Sequence, residues 1–572
     1  MNKRAITAAA AAAVVSLTGI SATAADKNFE MSDLKKLSAG LLGDGELSSG
    51  YDLDNDGRVD AFDMVMLRKA LMPTGEFKES ELKATEENVR YIGRNLEQNG
   101  TAWLVQSGSA VEFTVNAKSA EVTITGDSGI NNGPEYAPRY AVLIDGEIIA
   151  DEIMTDKTRT IELFSGETSR TATVKVIHLS EANQGAVGVT GIKVDSDSPS
   201  PVVPTPEKDL RIEFIGDSIT CAYGVEGASQ NESFKTTTEN FMKSYAYLTA
   251  QKLDADYSAV CYSGHGIISG YTSGDKNTDS LVPPFYELVG KPADYQQPWD
   301  FSVKPNDVVV INLGTNDSTY IDKDFEKRAP EFTEAYEDFL GQIRKNNPDA
   351  YIICTLGTMG GDKEYDCIVE AVDNYKKNTG DERVMSYWSV THTQADGFGS
   401  DWHPNAGTQQ RSAYVLADKI CQALGMESDQ IGLDVAADAV YEMVCNKDNG
   451  ANAASYFSDY NKSFWMNTVT GGSSRSDIEA VISGVGLKKD GKYRLTFKCK
   501  APDGMDIPVI IRNSGKTAEY FSSTFTASGE DAPFEEEFTC PAADASAEIV
   551  LQIGGMDYSN VTLSELRLEK IG

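Results

Sequence analysis

A chain of 572 residues is far too long for one hydrophobic core, so several domains are expected. Hydrophobic residues make up 41% and charged residues 24%, as in an ordinary globular protein. A net charge of −36 and a pI of about 4.5 count against nucleic acid and anionic membranes as partners and leave neutral molecules and cations.

The first segment, "MNKRAITAAAAAAVVSLTGISATAA", places Lys3 and Arg4 before an apolar run that ends in small residues at Ala22 and Ala24. This pattern predicts a secretory signal peptide over residues 1–24 and an extracellular protein. The run is short for a membrane anchor, and no other stretch is apolar enough to span a bilayer.

Residues 52–63, "DLDNDGRVDAFD", set oxygen ligands at the spacing of a calcium loop. Asp52, Asp54 and Asp56 take positions one, three and five, and Gly57 makes the tight turn. Arg58 offers its carbonyl at seven, Asp60 serves at nine and Asp63 closes the ring at twelve. Ending in Asp and running on into "MVMLRKALM", the loop is similar to a dockerin repeat. The preceding "MSDLKKLSAGLLGDGEL" resembles the first half of a ruminococcal-type dockerin. Its own loop departs from that pattern, because the twelve residues ending at Asp33 begin inside the signal peptide; one calcium site remains. The resemblance covers residues 26–75. It implies structural Ca²⁺ and docking to the cohesin domain of a scaffoldin in a cellulosome, with Ala61 and Phe62 among the contacts.

"KESELKATEEN" (78–88) reads as a charged connector and "PSPVVPTPEKD" (199–209) as a Pro-rich linker. Between them, over 88–198, short runs such as "SAVEFTVNA", "AEVTITGD" and "TATVKVIHL" predict a β-sandwich. Residues 208–425 instead alternate apolar strands ("RIEFIGD", "DVVVINLG", "AYIICTLG") with helical stretches, predicting an α/β domain with a parallel sheet.

The chemistry-bearing residues fall at strand ends of this α/β domain. In "RIEFIGDSITCAYG" Ser218 stands where a strand turns into a helix, a position suited to a nucleophile. Such a serine is more commonly a plain helix cap. The weight comes from three further pieces. Gly264 in "VCYSGHGI" can offer a backbone N–H, Asn316 in "VVVINLGTND" a side-chain amide, and His403 in "DWHPN" a general base. Together they supply a nucleophile, a base and an oxyanion hole.

This set resembles the SGNH hydrolase superfamily, and with the preceding sandwich it is similar to carbohydrate esterase family 2. The matching segments include "YIGR" (91–94), Trp103 before "SGS", "VIHLSEANQG" (176–185) and "QPWDFS" (297–302). The resemblance covers residues 88–425. It implies a flavodoxin-like three-layer catalytic domain that removes acetyl groups from plant polysaccharides such as acetylated xylan or glucomannan, with no catalytic metal. In much of the superfamily an Asp three residues before the histidine orients it; here that residue is Ser400, and Asp401 is one position off. Some members of family 2 hold the histidine by a backbone carbonyl, and a Ser218–His403 dyad of that kind is expected. Trp402 and Trp299 are candidates for stacking on sugar rings, and His265 for lining the site.

Residues 433–572 return to strands, including "KYRLTFKCKA", "IPVIIRNSG" and "AEIVLQIGG", and look like a β-sandwich carbohydrate-binding module, with Trp465 as its stacking candidate. Among the eight cysteines no metal spacing occurs, and no disulfide is assigned to Cys499 and Cys540. The combined expectation is a secreted cellulosomal acetyl esterase. Two rivals stand beside it: a lipase- or thioesterase-like SGNH hydrolase, and a glycan-binding component without catalysis.

Overall fold

The computed structural model describes residues 31–42, 51–53, 58–60, 63–64, 66–67 and 77–572, except 395 and 459–460. The expected signal peptide, Asp54, Asp56, Ala61 and Phe62 lie outside the described residues. Near the N-terminus, helix α1 (Met31–Leu42) packs Leu37 with Leu53 and Leu67 in a small core. The Tyr51 hydroxyl donates to Asp33 at 2.9 Å, tying the helix to the start of the acidic loop. The Asp63 carboxylate turns back into that loop and accepts the N–H groups of Leu53 (2.6 Å) and Asp60 (2.8 Å). Asp52, Asp60 and Asp63 are hard oxygen donors of the kind Ca²⁺ takes.

The first β module begins earlier than residue 88. Strand β1 (Lys78–Leu82), inside the expected connector, pairs antiparallel with a later strand of the module. The Pro-rich linker is likewise part of the sheet. Two further expected strands, "SAVEFTVNA" and "AEVTITGD", are one seventeen-residue strand, β2 (Ala110–Gly126), interrupted by a register shift between Ala117 and Ser119. With β3 (Arg139–Ile144), β4 (Thr158–His178), β5 (Val187–Ser196) and the linker strand β6 (Val202–Pro204), it belongs to a continuous ten-stranded antiparallel sheet. Pro204 is tolerated because β6 pairs with β2 alone. The strands enclose a core that includes Phe113, Val122, Tyr140, Val174 and Ile192.

The next domain holds five parallel strands. In chain order these are β7 (Leu210–Gly216), β8 (Ala255–Cys261), β9 (Val308–Asn312), β10 (Tyr351–Leu356) and β11 (Val384–Trp388). Their spatial order is β8–β7–β9–β10–β11, the flavodoxin-like 2-1-3-4-5 arrangement. Five successive buried residues make up β9 because both faces are covered. Val309 and Ile311 pack toward the longer helices Phe325–Asn346 and Asp362–Thr379, and Val308 and Val310 toward the opposite helix layer. The chain order reverses beside β7, so a crevice opens at its C-terminal end.

Arg94 joins the β module to this sheet. Fully buried, it pairs with Glu213 of β7 at 2.8 Å, donates to the carbonyls of Tyr286 and Leu288, and lies over the rings of Tyr286, Trp299 and Phe301. Arg90 adds a second buried ion pair, to Asp256 at 2.5 Å.

The C-terminal module is two five-stranded antiparallel sheets. One of them runs β12 (Asn452–Ser458), β13 (Ser463–Thr470), β16 (Asn560–Lys570), β14 (Lys492–Lys500), β15 (Ala532–Thr539) in spatial order. Alternate residues such as Phe464, Met466, Leu495 and Phe497 fill the space between the sheets. All eight cysteines are free thiols, and Cys499 and Cys540 are buried. Among the described residues no helix is long and apolar enough to cross a membrane.

Candidate active site

Ser218, Asn316 and His403 meet at the C-terminal ends of β7 and β9. Ser218 opens a helix of only four residues, Ser218–Cys221, which Ala222 ends in the left-handed conformation (φ 63°). So short a helix has little macrodipole; its contribution to a developing anion is its free N–H groups. The Asp217 carboxylate caps the turn by accepting the Ile219 N–H at 3.0 Å, and the Ser218 N–H has no backbone acceptor among the described residues. Burial and the neighbouring Asp317 push Asp217 up to about 7.

His403 Nε2 lies 2.8 Å from Ser218 Oγ. The other ring nitrogen, Nδ1, is 3.2 Å from the Ser400 carbonyl and 3.1 Å from the Asp401 carbonyl. With Nδ1–H donating to those carbonyls, Nε2 is left to accept the Ser218 proton. The Asp401 carboxylate is turned elsewhere: it accepts the Tyr223 hydroxyl at 2.9 Å and the Phe234 N–H at 3.0 Å. Asp401 and Trp402 both have positive φ, 48° and 65°, and this left-handed pair swings the carbonyl rather than the side chain toward the ring. Ser400 is buried against Gly224 and Gly227; a Cβ on Gly227 would come 2.3 Å from its Oγ, so there is no space for the extra atoms of a carboxylate. Burial pushes His403 down to about 4, so the ring is a neutral base at neutral pH.

Asn316 bridges the segments that carry Ser218 and Gly264. Its amide donates to the His265 carbonyl at 2.9 Å and to Asp217 at 3.2 Å. Gly264 has φ 76°, a conformation that favours glycine, and a Cβ there would meet nothing within 4 Å. Its carbonyl accepts the Tyr271 N–H, and its own N–H has no backbone acceptor among the described residues.

Three residues that sequence reasoning passed over hold these parts in place. Asp317, in the same "GTND" run as Asn316, is fully buried and accepts the N–H groups of Ile267, Ile268 and Ser269 at 2.8–3.0 Å, fixing the loop after Gly264. Glu181 comes from the β module, within "HLSEANQG", and accepts the Ser263 N–H at 2.8 Å, one residue before Gly264. Burial pushes its carboxyl up. Tyr223 lies against the His403 ring at 4.2 Å and stacks on Phe234, walling one side of the base.

The other candidates divide. Trp402 is 55% exposed beside His403, with its ring against Phe398. Trp299 is half-buried at the seam between modules, packed against the core with the Arg94 guanidinium 5.7 Å from its ring. His265 is buried, held by the Ser263 carbonyl at 2.9 Å and Lys291 at 2.5 Å, and its ring is structural.

Residues 214–411 match the GDSL-like Lipase/Acylhydrolase family, and residues 91–206 match the Carbohydrate esterase 2 N-terminal family. The chain is 33% identical over 334 residues to the Cellulase/esterase CelE of Acetivibrio thermocellus, covering 57% of this chain but only 38% of that protein. It is 26% identical to an acetylxylan esterase / glucomannan deacetylase of Cellvibrio japonicus, over 60% of this chain and 91% of the other. Among solved structures it is similar to a family two carbohydrate esterase from Clostridium thermocellum in complex with cellohexaose (TM-score 0.51, 30% identity), covering 59% of this chain and 99% of that one. Through the fused β module and α/β domain that these matches span, the chain belongs to carbohydrate esterase family 2, and this unit is a carboxylic ester hydrolase.

Proposed function

We propose that this chain is a secreted, cellulosome-associated esterase that removes O-acetyl groups from plant cell-wall polysaccharide, acetylated xylan or glucomannan, by a Ser218–His403 dyad. The observation that carries this reading is the 2.8 Å contact from His403 Nε2 to Ser218 Oγ, with Nδ1 engaged by backbone carbonyls. Ser218 Oγ attacks the acetyl carbonyl as His403 takes its proton. The oxyanion is held by the N–H groups of Ser218 and Gly264 and the Asn316 amide. Collapse expels the sugar hydroxyl, which receives the proton from His403. Water, activated by the same ring, then frees acetate from Ser218. The names of the Cellvibrio japonicus relative support xylan and glucomannan as substrates, and exposed Trp402 is placed to meet a sugar ring beside the base.

The N-terminal segment, over residues 26–75, is read as a dockerin that binds a scaffoldin cohesin. Its loop would hold Ca²⁺ through Asp52, Asp54, Asp56, the Arg58 carbonyl, Asp60 and Asp63, and the ion would supply rigidity. The inward turn of the Asp63 carboxylate supports this assignment.

Acetate release from acetylated xylan and glucomannan tests the catalytic reading. Ser218→Ala is expected to lose at least about 10³-fold in kcat. Asp401→Ala should stay within about tenfold of wild type, since its carboxylate does not reach the ring. Because His403 is the base only when neutral, kcat/KM should rise with pH through about 4 and level off above it. An Asp401→Ala loss of several orders of magnitude in folded protein would show that the carboxylate does orient the base.

A further inference from the structure

One surface of the C-terminal module carries side chains that its packing does not require. Tyr456 on β12 and Trp465 on β13 are direct cross-strand partners. Their rings are 5.7 Å apart and within 9° of parallel, and the residues are 65% and 36% exposed. Trp465 pairs in turn with Thr562 of β16, and Thr562 with Lys500 of β14. Two positions along, on the same face of β13 and β16, Asn467 pairs with Asn560, both exposed. Neither amide, nor the Thr562 hydroxyl, has a side-chain partner among the described residues. Among the described residues Lys500 forms only an exposed ion pair, with Glu530. Just before β16 stands Tyr558, 84% exposed and in the left-handed conformation (φ 52°), where a large ring brings no packing.

The strip from Tyr456 to Lys500 crosses three inter-strand steps of about 4.8 Å, so it is about 14 Å long. It is not a contiguous apolar patch, which would suit a protein or lipid surface. Rigid aromatic faces lie beside unpartnered amides and a hydroxyl. That combination matches a ligand that presents C–H faces and hydroxyl edges by turns. The strip has little charge of its own on a strongly acidic protein, which favours a neutral ligand over an anionic one.

We propose that this strip is a second carbohydrate site, separate from the esterase centre, which holds a neutral, hydroxyl-rich polysaccharide chain across β12, β13 and β16. The assignment stands on the exposed, in-register Tyr456–Trp465 pair and the unpartnered amides beside it, and does not depend on the identity of the acetylated substrate.

Affinity electrophoresis of the full chain through gels containing deacetylated xylan, deacetylated glucomannan or hydroxyethylcellulose tests it. Wild type should be retarded by at least one polymer. Tyr456→Ala/Trp465→Ala should weaken that retardation at least tenfold while leaving turnover of a small soluble acetyl ester unchanged. Asn467→Ala/Asn560→Ala, which removes no ring, should weaken it several-fold and decides the matter if the aromatic double variant melts early. Retardation of either variant equal to wild type would assign sugar binding to the esterase centre and overturn the proposal. Failure of all three polymers to retard wild type would overturn it as well.

Discussion

The two β modules flank the same α/β domain but join it in opposite ways. The first is welded on: Arg94 is fully buried against Glu213 of β7, Arg90 pairs with Asp256 out of solvent, and Glu181 reaches into the site to hold the Ser263 N–H. The C-terminal module meets the catalytic domain through Arg567, 40% exposed, which pairs with Asp396 on the loop that leads to His403. Asp396 already has Arg411 at 2.8 Å as a partner. An arginine buried on both sides of its ion pair ties two modules into a single folding unit, whereas a half-exposed arginine on a carboxylate that already has another cation ties them less tightly. The family matches follow the same division, spanning residues 91–411 and stopping short of the last module.

The strongest way to break this comparison is Arg94→Met. It leaves Glu213 buried without its cation and should cost about 3–5 kcal/mol, read as a large fall in the melting temperature of the esterase unit together with loss of activity. An unchanged melting temperature would mean that the weld lies elsewhere. Next in size is Glu181→Ala. The fold should survive, but the segment carrying Gly264 loses its anchor, and kcat should drop about 10- to 100-fold with KM little changed in steady-state kinetics. Smallest is Arg567→Gln, expected to change stability by under about 1 kcal/mol and kcat by less than twofold. A tenfold fall in kcat for that variant would make the C-terminal module part of the catalytic fold, and the comparison would fail.

Much of the site could be read from the chain because a parallel sheet puts its functional residues at the ends of successive strands, each preceded by an unmistakable apolar run such as that of β9. What could not be read has physical reasons. Backbone carbonyls hold His403, and a carbonyl is present at every residue; only the left-handed geometry at 401 and 402 singles these out. Glu181 acts from a different module, over 80 residues from the atom it holds, so no spacing could reveal it. Strands β1 and β6 were hidden because edge strands tolerate charge and proline, the same features that mark linkers. A local register shift disguised β2 as two strands.

Ester hydrolysis makes a carboxylic acid, so a working esterase acidifies its own surroundings. An orienting carboxylate would itself be protonated as that acid accumulates, and its grip on the ring would slacken. The carbonyls of Ser400 and Asp401 have no proton to gain over that range. The support beneath the base is therefore indifferent to the product, and the base itself is lost only as its imidazole protonates near 4.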